Sequence, residues 1–369
     1  MSRKPPSSPV RYAVIGLGHI AQVAVLPAFA NATENSVLTA LVSDDGEKLA
    51  ALQSRHKVPL TYRYEDLDDC LREVDAVYIA LPNSMHAEFT VRAAEAGVHV
   101  LCEKPMAVTV EECERMLAAT REHDVRLMIA YRLHFEHVNL KAVELVREGA
   151  IGQPKLFNST FSMRVRPGDI RTQRAMGGGT LYDIGVYCIN AARYLFRSEP
   201  TEVLACSVNS DPERLPEIDE TTSAILRFEG ERVASFVTSF NVADAGWYEM
   251  LGTKGRLKVE PAYEYAEGLA YEITIDGRTT KRQSAKRDQF AAELIYFSKC
   301  ILEGVNPEPS GEEGLQDVRI VTALYESAET GRAVQLPPYE PDRRPDLRQE
   351  IRRAPVDKPE TIKAPAPHL

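Results

Sequence analysis

A glycine-rich turn near the amino terminus constrains the fold of this chain more than any other feature. The apolar run 11–15 predicts a short buried strand, and Gly16-Leu17-Gly18-His19-Ile20-Ala21 then opens an amphipathic segment. Gly16 permits a tight turn, Gly18 lets a pyrophosphate approach the backbone, and the small Ala21 permits close helix packing. This order predicts the first βαβ unit of a dinucleotide-binding domain. The residues expected at the cofactor are Gly16, Gly18, His19 and Ile20.

The alternation of strand and helix continues to about residue 131. Apolar runs with strand character alternate with amphipathic segments of helical period. The predicted strands are 37–42, 75–81, 98–102 and 127–131, and the predicted helices are 47–54, 87–96 and 110–122. This alternation predicts a doubly wound parallel sheet with right-handed crossovers. We therefore assign residues 1–131 to an α/β Rossmann domain.

A different pattern follows residue 131 and predicts an α+β domain over residues 132–337. Turn residues separate several strand-like runs, which is typical of an antiparallel meander. These runs are 203–208, 221–228, 232–241, 247–251, 255–259 and 270–275, and helices are predicted at 138–148, 183–196, 288–302 and 315–331. Residues 338–369 are rich in proline, arginine and acid, and they contain too little apolar material for a core of their own.

The composition excludes several classes of function. The chain has 369 residues, with 44 basic and 54 acidic side chains and a formal net charge of −10. Without a basic stripe, it lacks the electrostatic signature of a nucleic-acid-binding protein. No apolar run approaches the roughly 18 residues of a membrane span, and no signal peptide is recognised, so we expect a cytoplasmic protein. The six scattered cysteines form no Cys-x-x-Cys pair, which favours reduced thiols over a zinc site.

The stretch from Gly177 to Tyr187 carries the strongest signal for chemistry. Asp183 and Tyr187 are four residues apart, so on a helix they share one face. A carboxylate beside a phenol is a proton-transfer pair, and a lysine nearby would favour the phenolate form. Lys104 is the candidate lysine, because it follows a predicted strand at the edge where α/β proteins bind ligands. A surface ion pair within Glu103-Lys104-Pro105 explains that stretch equally well.

Two further stretches fall at the same sheet edge. Leu81-Pro82-Asn83 and His86 follow the strand 75–81, and we expect Asn83 or His86 to contact a cofactor, although a capped helix start fits them too. At the end of the second strand, Ser43 and Lys48 suit a 2′-phosphate, whereas Asp44 would repel it. Lys48 also fits a solvated helix position. The residues at the end of the second strand therefore slightly favour NADP over NAD.

Together these motifs resemble the Gfo/Idh/MocA oxidoreductase family, and most of all its glucose-fructose oxidoreductase branch. The similarity runs from about residue 11 to residue 334. Supporting stretches are 131–135, Asp183 to Tyr187 with Asn190, and 310–319. The resemblance implies a Rossmann domain followed by a domain with an open-faced sheet, and an active site between the two. It also implies burial of the open face in a homodimer or a homotetramer.

The same resemblance assigns roles to individual residues. Lys104 matches the catalytic lysine, Tyr187 the acid/base, and Asp183 the aspartate that binds the sugar near the reacting carbon. Ser43 and Lys48 match the contacts to the 2′-phosphate of NADP. Other residues expected at the cofactor are Leu81, Pro82, Asn83, His86, Glu103, Arg132 and Arg171. His134 and His137 have the spacing of a metal pair, but no third ligand accompanies them, so we expect no metal.

The implied activity is NADP-dependent hydride transfer from C1 of a cyclic aldose, which gives an aldonolactone. If the cofactor stays bound, reduction of a second sugar to a polyol completes a coupled cycle. The alternatives are a dehydrogenase that releases its cofactor at each turnover and a non-catalytic regulator that senses NADP. The chain departs from the resemblance in its short Pro5, Pro6 and Pro9 segment and in its tail, which suits either a subunit-binding arm or disorder.

Overall fold

A computed structural model describes residues 8–368 and shows a parallel sheet of six strands at the amino terminus. The strands are β1 (Val10–Ile15), β2 (Ser36–Val42), β3 (Leu60–Tyr62), β4 (Ala76–Ile79), β5 (His99–Glu103) and β6 (Leu127–Ala130). Their order is β3-β2-β1-β4-β5-β6. The strand order reverses between β1 and β4, so a ligand crevice opens at the carboxyl ends of these strands. The predicted doubly wound sheet is confirmed.

Five helices connect these strands. They are α1 (Leu26–Ala28), which continues a π-helical turn at Ala21–Val25, α2 (Gly46–His56), α3 (Leu67–Glu73), α4 (His86–Glu95) and α5 (Val110–Glu122). A capping box between Thr109 and Glu112 defines the start of α5, where the sequence predicts it. The short β3 and α3 escaped prediction, because neither is long enough to show a clear hydrophobic period.

The second domain contains a nine-stranded sheet. Its strands are β7 (Pro154–Ser162), β8 (Pro200–Val208), β9 (Thr221–Phe228), β10 (Arg232–Ser239), β11 (Ala245–Gly252), β12 (Gly255–Val259), β13 (Ala270–Ile275), β14 (Arg278–Gln283) and β15 (Val334–Gln335). Their order is β14-β13-β12-β11-β7-β10-β9-β8-β15. The sheet is mostly antiparallel, as predicted.

Strand β7 corrects the prediction of an uninterrupted meander. It lies between β10 and β11, pairing parallel with β10 and antiparallel with β11. The sequence did not reveal β7, because polar residues at 158–160 break its apolar run. The central position of β7 matters for the site, since the helix that bears Tyr187 packs on this strand.

Helices cover one face of the second sheet and leave the other face open. The helices of this half are α6 (His137–Arg147), α7 (Val186–Phe196), α8 (Gln289–Glu303) and α9 (Gly311–Thr330). Of these, α6, α7 and α9 pack on the sheet, whereas α8 joins the Rossmann core around Tyr12. The open face presents exposed apolar side chains at Leu156, Leu204, Val208, Ile225 and Val237.

A buried ion network joins α7 to α9. The guanidinium of Arg193, only 1% exposed, contacts Glu199 at 2.6 Å, Glu313 at 2.8 Å and Asp317 at 2.7 Å. Removing one partner of such a network leaves buried charges without compensation, so the network specifies how the two helices pack. Arg344 of the tail adds a further contact to Glu199 at 2.9 Å.

The tail packs along its own chain as far as residue 368. Gln349 donates to the side chain of Glu308, and Glu350 faces His137 at 3.1 Å. The main-chain carbonyl of Arg353 accepts from the amide of Asp288. This course differs from the expectation of disorder. None of the helices within residues 8–368 combines the length and apolarity needed to cross a membrane.

Candidate active site

An ion pair between the two domains lies at the centre of the candidate site. Lys104 directly follows β5, and its Nζ donates to the main-chain carbonyl of Asp183 at 2.8 Å and to Oδ1 of Asp183 at 3.1 Å. Asp183 belongs to a π-helical turn at Leu181–Gly185 that precedes α7. Both side chains are largely buried. The candidate lysine and aspartate, 79 residues apart in the chain, therefore meet between the domains.

A second cation reaches the same carboxylate. Nε of Arg171 donates to Oδ2 of Asp183 at 2.9 Å, and Arg171 also contacts Asp169. Burial raises the pKa of Asp183, but the charges of Arg171 and Lys104 outweigh burial and lower this pKa to about 2. Asp183 therefore stays ionised over the whole physiological range. No local pattern predicted this pairing, and the family resemblance placed Arg171 only near the cofactor.

Two cations flank the ring of Tyr187. Nζ of Lys104 lies 4.9 Å from the ring centroid, and the guanidinium carbon of Arg132 lies 5.2 Å from it. Aromatic contacts with Phe161 and Tyr263 hold the ring in place. Two positively charged groups therefore lie beside the ring of Tyr187. This arrangement suits a side chain that accepts and returns a proton.

Main-chain carbonyls fix the position of Arg132. Its guanidinium donates to the carbonyls of Tyr263 and Glu264 and to the side chain of Gln289, and it also lies 5.2 Å from the ring centroid of Tyr265. Burial alone would lower the pKa of Arg132, yet Tyr187, together with Glu264 and Tyr265, raises it above its usual value. Arg132 is thus a fixed positive charge beside Tyr187.

The triple glycine lets neighbouring segments closely approach the turn that precedes α7. A β-carbon on Gly178 would lie 2.5 Å from the carbonyl oxygen of Arg171, and one on Gly179 would collide with the hydroxyl of Tyr325. Nδ2 of Asn83 donates to the carbonyl of Gly177 at 2.8 Å. Asn83 therefore connects the sheet edge to this loop. Neither of the two roles considered for Asn83, cofactor binding and helix capping, predicts this contact.

His86 holds two loops of the sheet edge together. Its Nδ1 lies 2.9 Å from the carbonyl oxygen of Pro105, and its Nε2 lies 3.0 Å from that of Leu81. The side chain is fully buried, and burial lowers the pKa of His86. His86 thereby positions the segments on either side of Lys104, and neither ring nitrogen is left for another partner.

The neighbouring Glu103 lies at the end of β5. Its carboxylate accepts a hydrogen bond from the hydroxyl of Tyr78 at 2.9 Å. Burial raises the pKa of Glu103, although Lys104 and Tyr78 oppose this effect. Pro82, adjacent to Leu81 and Asn83, precedes a single 3-10 turn at Asn83–Met85. These residues form the wall of the crevice beside Lys104.

The glycine turn has the shape that a dinucleotide requires. Gly16 has φ of +92°, and a β-carbon there would collide with the carbonyl of Ala80, so close packing explains this glycine. A β-carbon on Gly18, in contrast, would meet no described atom within 4 Å. Packing therefore does not explain Gly18, whereas the approach of a pyrophosphate does. His19 and Ile20 follow at the start of the helix, where amide groups attract phosphate.

The end of β2 is compatible with a 2′-phosphate. Oγ of Ser43 accepts from the amide of Asp45 at 3.2 Å, and Lys48 lies in the first turn of α2. The carboxylate of Asp44 accepts a hydrogen bond from the amide of Tyr64 at 3.0 Å, so its charge is bound to the loop that follows β3. This hydrogen bond reduces the expected repulsion between Asp44 and a 2′-phosphate. The residues present therefore fit NADP.

The histidine pair has partners other than a metal. Nδ1 of His134 lies 3.0 Å from the carboxylate of Glu308, and its Nε2 lies 2.8 Å from the side chain of Asn190. His137 faces Glu350 of the tail. In the part of the chain that the structure describes, no three His, Cys, Asp or Glu side chains cluster as metal ligands.

Fold and site together define a two-domain oxidoreductase that binds a nicotinamide dinucleotide. Residues 10–131 match a family model described as "Oxidoreductase family, NAD-binding Rossmann fold", and residues 139–258 match the "GFO/IDH/MocA C-terminal domain". The chain belongs to the Gfo/Idh/MocA oxidoreductase family.

Several relatives are similar over nearly their whole length. D-xylose 1-dehydrogenase [NADP(+)] from Haloarcula marismortui is 34% identical over 89% of this chain and 94% of its own. The structure of aldose-aldose oxidoreductase from Caulobacter crescentus complexed with glycerol has a TM-score of 0.85 and 38% identity, over 89% of this chain and 99% of its own. A 3-ketoreductase from Actinomadura kijaniata, solved with NADP and TDP-benzene, has a TM-score of 0.80 and 29% identity, over 86% and 98% of the two chains.

The two glycines of the turn should respond differently to substitution. We expect Gly18→Val to weaken NADPH binding by about tenfold or more, because the new side chain fills the space of the pyrophosphate, without lowering the melting temperature of the cofactor-free protein. Fluorescence titration and thermal unfolding measure the two effects. Gly16→Ala, the comparison, should instead destabilise the cofactor-free fold, since it strains the backbone and strikes Ala80. Unchanged affinity in Gly18→Val would contradict this assignment.

Proposed function

We propose that this protein is an NADP-dependent sugar oxidoreductase that acts at C1 of a cyclic aldose. The observation that carries the proposal is the meeting of Lys104, Asp183 and Tyr187 in the crevice between the domains. The glycine turn and the end of β2, which suit NADP, belong to the same sheet edge. The NADP-dependent xylose dehydrogenase and the aldose-aldose oxidoreductase among the relatives support the same cofactor and substrate class.

Tyr187 acts as the general base in sugar oxidation. Tyr187, which lies beside the cations of Lys104 and Arg132, removes the proton of the anomeric hydroxyl while the C1–H bond breaks and the lactone forms. When bound, NADP supplies the hydride acceptor. Asp183 remains ionised and accepts hydrogen bonds from a sugar hydroxyl, in addition to those from Lys104 and Arg171. In the second half-reaction, Tyr187 returns the proton to the carbonyl oxygen of an open-chain sugar, and the reduced cofactor would supply the hydride for the carbonyl carbon, which gives a polyol.

Two forms of this activity differ in the fate of the cofactor. In the coupled form, NADP stays bound, and one sugar is oxidised while a second is reduced; the Caulobacter crescentus aldose-aldose oxidoreductase favours this form. In the conventional form, NADP exchanges at each turnover, as the name of the Haloarcula marismortui xylose dehydrogenase suggests. Both forms require Lys104 and Tyr187. A non-catalytic sensor does not require them.

The cofactor content of the purified protein tests these alternatives. We expect extensively dialysed protein to release NADP on denaturation, and we expect native protein to show reduced-nicotinamide absorbance after addition of glucose or xylose. A second sugar should then reoxidise the cofactor. Turnover only with added NADP would identify the conventional dehydrogenase. An empty protein that is inert with aldoses, even with NADP added, would refute the proposal.

Two substitutions test the catalytic assignment. Lys104→Ala and Tyr187→Phe should each lower kcat for aldose oxidation by about 10²–10⁴-fold, because each removes part of the proton-transfer machinery, while NADPH affinity stays nearly unchanged. Steady-state kinetics and fluorescence titration provide the measurements. Tyr182→Phe is the matched control: this tyrosine is also near α7, but its hydroxyl bonds the carbonyl of Val108. Full activity in either test variant would remove that residue from the mechanism.

The open face of the second sheet serves as a subunit interface between copies of this chain. Leu204 and Ile225 are directly opposite each other on β8 and β9, and both are exposed. Continuous apolar surface of this kind is typical of an interface. The assembly is a homodimer or a dimer of dimers, that is, a homotetramer.

Charge on this face should separate the subunits. We expect Leu204→Asp combined with Ile225→Asp to convert the oligomer to monomer in sedimentation velocity, because two buried unpaired carboxylates would oppose association. Val305→Asp places the same charge at an exposed apolar residue beyond α8, and this control should leave the oligomer intact. An unchanged sedimentation coefficient in the double variant would exclude this face as the interface.

A further inference from the structure

Three consecutive residues of the tail lie against the glycine-turn side of the Rossmann sheet. The amide of Ile362 donates to Oε1 of Gln22 at 2.7 Å, and its carbonyl accepts from Nε2 of Gln22 at 3.0 Å. Nζ of Lys363 lies 2.5 Å from the carboxylate of Glu47. The carbonyl of Ala364 lies 3.1 Å from Nδ1 of His19. The side chain of Gln22 thus bonds both the main-chain amide and the main-chain carbonyl of Ile362.

The partners of these residues lie in or just after the two loops that flank a bound dinucleotide. His19 follows Gly18 in the glycine turn, and Glu47 begins α2 shortly after Ser43. In a doubly wound fold, the pyrophosphate lies at the first of these loops and the adenosine ribose at the second. A segment bonded to both loops therefore crosses the outer side of the adenosine half of the cofactor site.

The tail then continues to the second domain. The carbonyl of Pro367 accepts from the amide of Arg166 at 2.8 Å, and His368 forms an antiparallel bridge with Val165. Three residue steps separate Ala364 from Pro367, and an extended chain covers at most about 11 Å in that length. The tail is therefore fastened to both domains at the mouth of the crevice between them.

Contacts upstream make this segment a fixed element. The carbonyl of Glu360 accepts from Arg55 of α2 at 2.8 Å, and that of Ala354 accepts from Asn31 at 2.8 Å. Ala364 and Pro367 are buried. The aldose-aldose oxidoreductase structure is matched over 99% of its own length but only 89% of this chain, so this chain has additional length of about the size of the tail.

We propose that residues 360–368 form a C-terminal strap that closes over the adenosine half of NADP within the same chain. The strap slows cofactor release, so that one NADP serves both the oxidation of an aldose and the reduction of a second sugar. Exchange of NADP requires the strap to detach from His19 and Gln22 or from Arg166. This inference rests on the proposed function, because it concerns retention of the cofactor that the proposed reaction uses.

Removal of the strap tests the proposal directly. A chain that ends at Pro359 keeps the bond between Asn31 and Ala354 and loses the strap, including the bond of Glu360 to Arg55. NADPH fluorescence, followed after mixing loaded protein with excess NADP⁺, reports the release rate without any sugar present. We expect release about tenfold faster or more in the shortened chain, because contacts that form around a bound ligand act mainly on its dissociation. Arg348→Ala is the control, since the guanidinium of Arg348 pairs with Asp346 within the tail; its release rate should match that of the intact chain.

A disulfide lock provides a second test that needs no deletion. Val165 and His368 are opposed in the antiparallel bridge, so Val165→Cys with His368→Cys places two thiols within reach of a disulfide. The exposed Cys206 is replaced by serine to prevent side reactions, and the same chain in reductant serves as the control. Oxidation should slow NADPH release by about tenfold or more, and reductant should restore the original rate.

The outcomes separate the strap from the proposed function. Release at the intact rate in both the shortened chain and the oxidised disulfide variant would overturn the strap, while aldose-dependent reduction of NADP would still support the enzyme assignment. An intact chain that does not bind NADP would overturn both. Fast release from the shortened chain, with its cofactor-free melting temperature unchanged, would establish the strap, because global unfolding could not then explain the loss.

Discussion

The ion pair between Lys104 and Asp183 is the interaction on which the site depends. It joins the end of a Rossmann strand to the turn that precedes the helix of Tyr187, so one contact links the two domains next to Tyr187. Burial makes each charge costly alone, and their proximity compensates that cost. Arg171 strengthens the arrangement, because it completes the hydrogen bonding of a carboxylate that must remain ionised.

Several residues of the site act by shaping the space around this pair. His86 ties together the loops before and after β5, and Asn83 connects the sheet edge to Gly177. Gly178 allows the Arg171 segment to approach the catalytic turn without steric conflict. A substitution of His86, Asn83 or Gly178 would displace Lys104 or Arg171, although none of these three residues needs to contact a substrate. These chemically different residues therefore share one purpose, the placement of Lys104 and Arg171.

The tail follows a course over both domains of this chain. Its polar and proline-rich composition predicts no core, and the structure agrees with that, since the tail packs as an extended segment on surfaces that other elements provide. Hydrogen bonds to Gln22, His19 and Arg166 determine its path. Retention of a cofactor between two half-reactions is the property that such a path would serve.

Local pattern by itself determined five of the six Rossmann strands and the glycine turn, and it singled out Lys104, Asp183 and Tyr187 as candidates, because hydrophobic period, turn chemistry and helical spacing are properties of short segments. Only the tertiary structure decided the insertion of β7, the pairing of Arg171 with Asp183 and the course of the tail. The strand β7 and the tail join residues far apart in the chain, and sheet register and domain packing leave no trace in local periodicity. Arg171 and Asp183 are only 12 residues apart, but an irregular loop without a hydrophobic period separates them.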